Sequence, residues 1–84
     1  MPTISIFYGI RIYFNLKNKE HEPPHIHAKY GEYVASFKIK DKCLMEGKFP
    51  DRATKLVIEF IKQYEQELLT MWETEEYKKL KGLD

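Results

Sequence analysis

The chain has 84 residues, 43% of them hydrophobic and 32% charged, with a formal net charge of +1. That composition excludes an intrinsically disordered chain, and the charge gives no strong pointer to nucleic acid. A domain of this size buries only roughly 60% of the surface its unfolded chain exposes, so self-association or a partner would add stability.

The charge is unevenly spread. Met1 to Lys48 carries eight Lys and Arg against five Asp and Glu, and Phe49 to Asp84 carries six against eight. A mildly basic front half and an acidic tail suit a basic partner surface or an anionic ligand, although a mixed soluble surface reads the same way. Cys43 is the single cysteine, so no internal disulfide is available and a reducing, cytoplasmic setting is expected. No apolar run approaches the roughly 20 residues of a membrane span. The N-terminal residues lack the pattern of a signal peptide. One domain over residues 1–84 is expected.

In chain order, Ile4 to Phe14 alternates with period two and is rich in β-branched and aromatic residues, which predicts a strand. Gly9 either marks a bulge or divides two short strands. Asn15 to Pro24 is polar and ends in two prolines, which predicts a loop with a stiff extended lead into the next strand. His25–Tyr30 and Tyr33–Lys40 read as a hairpin closed by Gly31-Glu32 in a type II′ turn. That register pairs Tyr30 with Tyr33, Ala28 with Ala35 and Ile26 with Phe37 on one face. Lys29 then opposes Val34, His27 opposes Ser36 and His25 opposes Lys38 on the other. A slip of one residue would mix the faces, so the pattern itself argues for the pairing. Cys43–Glu46 reads as a short fourth strand.

From Asp51 the period changes. Ala53, Leu56, Val57, Phe60, Ile61, Tyr64, Leu68, Met71 and Trp72 form a helical stripe. Pro50 or Asp51 suits the first turn. The stripe weakens through Glu73 to Leu80, with Gly82 as a stop and a kink near Tyr64 to Gln66 left open. The expected fold class is α+β: a small antiparallel sheet of about four strands over residues 3–48, followed by one long or two helices over residues 51–80 packed on one face.

All three histidines fall within seven residues, at His21, His25 and His27. On a strand, His25 and His27 project from one face, because side chains repeat every two residues. With His21 or Glu22 from the loop they form a candidate metal set. Lys29 and Lys38 beside them repel a cation, so no cofactor is assigned. The same charges suit an anion: Arg11, Lys29, Ser36 and Lys38 are candidate ligand-binding residues, and Tyr13 is a candidate base-stacking platform. His25 and His27 are candidate catalytic residues for a metal-independent ribonuclease, since a histidine transfers protons near neutral pH. Enzyme activity is left undecided by the sequence, and a purely structural or partner-contacting role for the cluster stays open beside these. Cys43 reads as a buried small hydrophobe rather than a nucleophile. Met71 and Trp72 read as packing, and Glu73, Glu75 and Glu76 as a solvated acidic face.

Pro2-Thr3-Ile4, Phe7-Tyr8-Gly9-Ile10, the HxPPHxHAxYGE core from His21 to Glu32, Gly47 and the helix end from Glu65 to Trp72 together resemble a small prokaryotic domain-of-unknown-function family, number 4160. Glu20 stands where the family has Asp, Ile26 where it has an aromatic, and Phe60 where it often has Trp. The resemblance implies a stand-alone small protein encoded beside another short protein, in a toxin–antitoxin-like or regulatory module. It therefore implies a small protein partner encoded nearby. A homo-oligomer, RNA or DNA remain further partner expectations, and a membrane is not one.

Overall fold

The computed structural model describes residues 3–15 and 23–83. Five strands, β1 (Thr3–Phe7), β2 (Ile10–Tyr13), β3 (His25–Tyr30), β4 (Tyr33–Lys38) and β5 (Cys43–Gly47), precede one helix, α1 (Asp51–Thr74). The strands form one sheet in the order β1-β2-β3-β4-β5, every neighbouring pair antiparallel. The fold is α+β as expected, with five strands in place of about four.

The extra strand comes from the Ile4–Phe14 run, which folds back on itself at Tyr8-Gly9. Both residues have positive φ, 51° and 79°, the requirement of a type I′ hairpin turn. The turn pairs Phe7 with Ile10, Ile6 with Arg11 and Ser5 with Ile12. Cross-strand partners share a face, so Ile6 sits beside Arg11 and is 67% exposed, while Ile10 and Ile12 are fully buried. An irregularity between Thr3 and Ser5 restores Ile4 to the core. The single apolar parity expected across the whole run is thus divided by the turn.

The β3–β4 register is the expected one at all six positions, from His25↔Lys38 to Tyr30↔Tyr33. Gly31 has φ of 59° and Glu32 is not among the positive-φ residues, which is the type II′ pattern. Ile26, Ala28, Ala35 and Phe37 are buried on the face that meets α1. Gly47, at the end of β5, has φ of 89°, and a Cβ there would run into the carbonyl oxygen of Val34. Cys43 is exposed on this edge strand, which corrects the expectation of a buried thiol. Among the described residues β5 is an edge strand, hydrogen-bonded to β4 on one side only.

The helix buries Ala53, Val57, Phe60, Ile61, Leu68, Met71 and Trp72, with Leu56, Tyr64 and Leu69 partly buried against the same core. Each large side chain fully buried contributes roughly 1.5–3 kcal/mol. Pro50 is the N-cap, and its carbonyl accepts from the Thr54 amide at 2.8 Å. Tyr64 has non-helical angles (φ −119°, ψ 24°), so the helix is one element with a kink at that residue. It ends at Thr74, short of the expected Leu80. Glu75 takes the left-handed conformation and its amide bonds to Met71 O at 2.9 Å, the closing bond of an αL cap. Gly82 is no helix stop. It lies against β1, where an added Cβ would stand 2.6 Å from Phe7 Cβ. Among the described residues no helix is long and apolar enough to cross a membrane.

Candidate functional site: a row of rings across the outer sheet face

The sheet face turned away from α1 is built by the registers of β2, β3 and β4. Tyr13 pairs with His27 and His27 with Ser36 in one cross-strand row. Arg11 pairs with Lys29 in the next, and His25 pairs with Lys38 in the third. The sheet therefore gathers Arg11, Tyr13, His25, His27, Lys29, Ser36 and Lys38 on one side, as the sequence pattern requires.

The side chains interlock. The Arg11 guanidinium stands 4.9 Å above the Tyr13 ring centroid, and Arg11 Nε donates to Thr3 Oγ1 at 2.8 Å. Tyr13 stacks on His27 at 5.4 Å with the rings 22° from parallel. His27 meets His25 edge-on at 5.1 Å, and His25 meets Trp72 at 4.9 Å. The row thus runs from a cation through four rings to the last turn of α1.

This packing leaves little of the row open to an anion or a base. His25, Tyr13 and Ser36 are only 7%, 8% and 4% exposed. Trp72, in the last turn of α1, packs against His25. The Tyr13 ring is occupied by His27 and Arg11, so it offers no clear face to a nucleobase. His27 and Lys38 are half-buried and Lys29 is exposed, so the expected division of faces holds. Lys38 Nζ lies 3.9 Å from Asp41, which partly offsets its charge.

His25 has a defined tautomer. Its Nδ1–H donates to the Pro23 carbonyl at 2.9 Å, and a carbonyl only accepts. The neutral ring therefore carries its lone pair at Nε2. Pro23 and Pro24 do more than stiffen a lead: one holds the ring, and the Pro24 carbonyl extends the sheet by accepting from the Ile39 amide at 3.0 Å. Of the metal set, His21 and Glu22 lie outside the described residues. Among the described residues no three His, Cys, Asp or Glu side chains are grouped to hold a metal ion.

A second surface was missed by sequence reasoning. The Tyr8-Gly9 and Gly31-Glu32 turns emerge side by side at the end of the sheet away from His25. Ile6, Tyr8, Tyr30, Tyr33 and Val34 are all exposed there. A cleft of about 480 Å³ opens between Tyr8, Tyr30, Pro50, Arg52 and Leu56. The available signal was Val34, a β-branched apolar residue that the register places on the polar face opposite Lys29.

No curated protein and no solved structure matches this chain. Residues 9–73, from the β1–β2 turn to the end of α1, match the family described as a domain of unknown function (DUF4160). The matched span holds β2 to β5, His25, His27 and Trp72, and on it the chain belongs to that family.

Proposed function

We propose that this protein is a cytoplasmic accessory component of a prokaryotic two-gene, toxin–antitoxin-like or regulatory module, and that it acts by binding a small protein partner. The observation that carries this reading is the exposed apolar group at the hairpin tips. Ile6, Tyr8, Tyr30, Tyr33 and Val34 leave aromatic and β-branched surface in water on a chain with little core to spare. Tyr30 and Tyr33 lie on one sheet face and Ile6 and Val34 on the other, so the exposed apolar side chains wrap the sheet end. Apolar surface concentrated in this way marks interaction sites, and tyrosine is the residue type that interfaces favour. The histidine row is then a rigid support that ties the helix end to the sheet.

The test is co-expression with the product of the neighbouring gene, followed by size-exclusion chromatography. A stable complex is expected, weakened at least tenfold by the double substitution Tyr8→Ser and Tyr33→Ser. Separate elution of the two proteins at micromolar concentration overturns the reading.

A second reading, a metal-independent ribonuclease acting through His25 and His27, is favoured by the fixed His25 tautomer beside Lys38. Its Nε2 is the ring position that accepts a proton, and Lys38 and Lys29 would hold phosphate. His27→Ala would then abolish RNA cleavage in a folded protein. Equal cleavage by the variant and the wild type removes this reading.

A further inference from the structure

The segment after α1, residues 75–83, runs along the outer edge of β1. The Leu80 amide donates to Ile4 O at 2.8 Å. Gly82 lies against Phe7, where an added Cβ would come within 3.1 Å of Ile6 O. Leu80 beside Ile4 and Gly82 beside Ile6 means that the segment runs parallel to β1. It occupies the place of a sixth strand. Yet the Leu80–Ile4 bond is the one backbone bond between segment and strand among the described residues. The side chains that hold it, Tyr77, Leu80 and Leu83, touch the core at every third residue and not at the every-second spacing of a strand.

The fit at this edge is incomplete. A cleft of about 210 Å³ lies between β1 and the segment, lined by Thr3, Ile4, Ser5, Ile6, Lys79 and Leu80. Ser5 is 6% exposed, and its hydroxyl has no hydrogen-bond partner among the described residues. A buried hydroxyl left unsatisfied carries a desolvation penalty that a new partner removes. The Ile6 side chain beside it is exposed.

We propose that the β1 edge is a strand-addition site for an extended segment of the partner protein, and that residues 75–83 are a strap covering it until that segment arrives. This deepens the partner-binding reading and rests on it for the occupant. The incoming segment supplies backbone bonds along Ile4 and Ile6, where the strap makes one. It places a donor or acceptor against Ser5 Oγ and an apolar side chain beside Ile6. The strap shows that the edge accepts a leucine-bearing chain through a backbone bond at Ile4.

The experiment uses the full-length protein and a fluorescent peptide with the sequence of residues 75–83. Two variants loosen the strap: Gly82→Val, whose side chain meets Phe7, and Leu80→Pro, which removes the amide donor. Anisotropy titration is expected to show binding at least tenfold tighter to either variant than to the wild type. A peptide carrying proline in place of Leu80 is expected not to bind. Hydrogen exchange supplies an independent readout in the wild type: the Leu80 amide is expected to exchange at least a hundredfold faster than that of Ala28. A Leu80 amide as slow as Ala28, or no peptide binding to variants whose β3 and β4 amides stay protected, overturns the proposal. Dimerisation of the variants without peptide binding also overturns it, by assigning the edge to a second copy's strap. Failure of the neighbouring gene's product to form a complex refutes the two-gene reading, while peptide binding still supports the edge site. A complex with that product of equal affinity in wild type and Leu80→Pro refutes the edge site and leaves partner binding intact.

Discussion

The indole of Trp72, in the last turn of α1, and the imidazole of His25, the first residue of β3, stand with ring centroids 4.9 Å apart. A hydrogen bond from His25 Nδ1–H to Pro23 O also fixes the ring. The C-terminal half of the helix is therefore tied to the sheet through an imidazole as well as through the apolar core.

Trp72→Ala is expected to destabilise the protein by about 3–5 kcal/mol, the usual range for truncating a buried large aromatic. Trp72→Phe keeps a ring against His25 and is expected to cost less than half of that. Urea denaturation of the three proteins, followed by far-ultraviolet circular dichroism, measures both. A loss below about 1 kcal/mol for the alanine variant would show that the contact is peripheral to stability.

Two glycines with positive φ, Gly47 at the end of β5 and Gly31 in the β3–β4 turn, respond differently. Gly47→Ala meets the Val34 carbonyl and keeps a φ of 89°. It is expected to lose more than about 2 kcal/mol, from left-handed strain and steric conflict together. Gly31→Ala has the strained φ but open space around it, and is expected to lose about 1 kcal/mol. Equal midpoints for the two variants in thermal melts would contradict this ranking.

Tyr77 rests on Phe14 at 5.1 Å between ring centroids. Its phenol is pushed above the usual 10.0, first by burial and then by the negative charge of Glu75. The folded state thus holds the proton more tightly than the unfolded state. The associated stability is fully present below about pH 10 and is lost as the pH rises through the raised folded value. Stability measured from pH 9 upward is expected to fall less steeply in Tyr77→Phe, which keeps the ring contact. An unchanged slope would exclude Tyr77 as a source of the alkaline loss.

Lys42 Nζ meets Glu65 at 2.9 Å and joins the β4–β5 loop to the helix one residue past its kink. Both side chains are partly exposed, so the pair is expected to contribute about 0.2–1 kcal/mol. A double-mutant cycle with Lys42→Met and Glu65→Gln reads the coupling directly. The coupling is expected to shrink in 1 M salt. A salt-independent value would point to packing of the lysine stem in place of charge.

The β3–β4 hairpin was legible because two independent signals agreed: the glycine at the first turn position and an apolar set that falls on one face only in that register. The β1–β2 hairpin was half legible. Gly9 was visible as an interruption, but the turn also needs Tyr8 at φ 51°, and tyrosine carries no sequence signal for that conformation. Once the turn exists, Ile6 must change face, so alternation alone misassigned it. Glu75 repeats the problem at the helix end, where an acidic residue takes the left-handed cap that Gly82 was expected to supply. The candidate residues of the histidine row were placed on the correct face, but their burial was not foreseen. For His25 that burial includes the contact with Trp72, a partner far along the chain that no local pattern encodes.

Every sheet pairing joins strands adjacent in sequence, so the meander can assemble by short-range steps with small loop-closure cost. The Leu80–Ile4 bond is different: it closes a loop around almost the whole described chain. Such a contact is expected to form after the hairpins and helix are in place. Held by one backbone bond and three half-buried side chains, it is also expected to open first. The last step of folding and the first step of local unfolding are then the same event, the docking and release of residues 75–83 on β1.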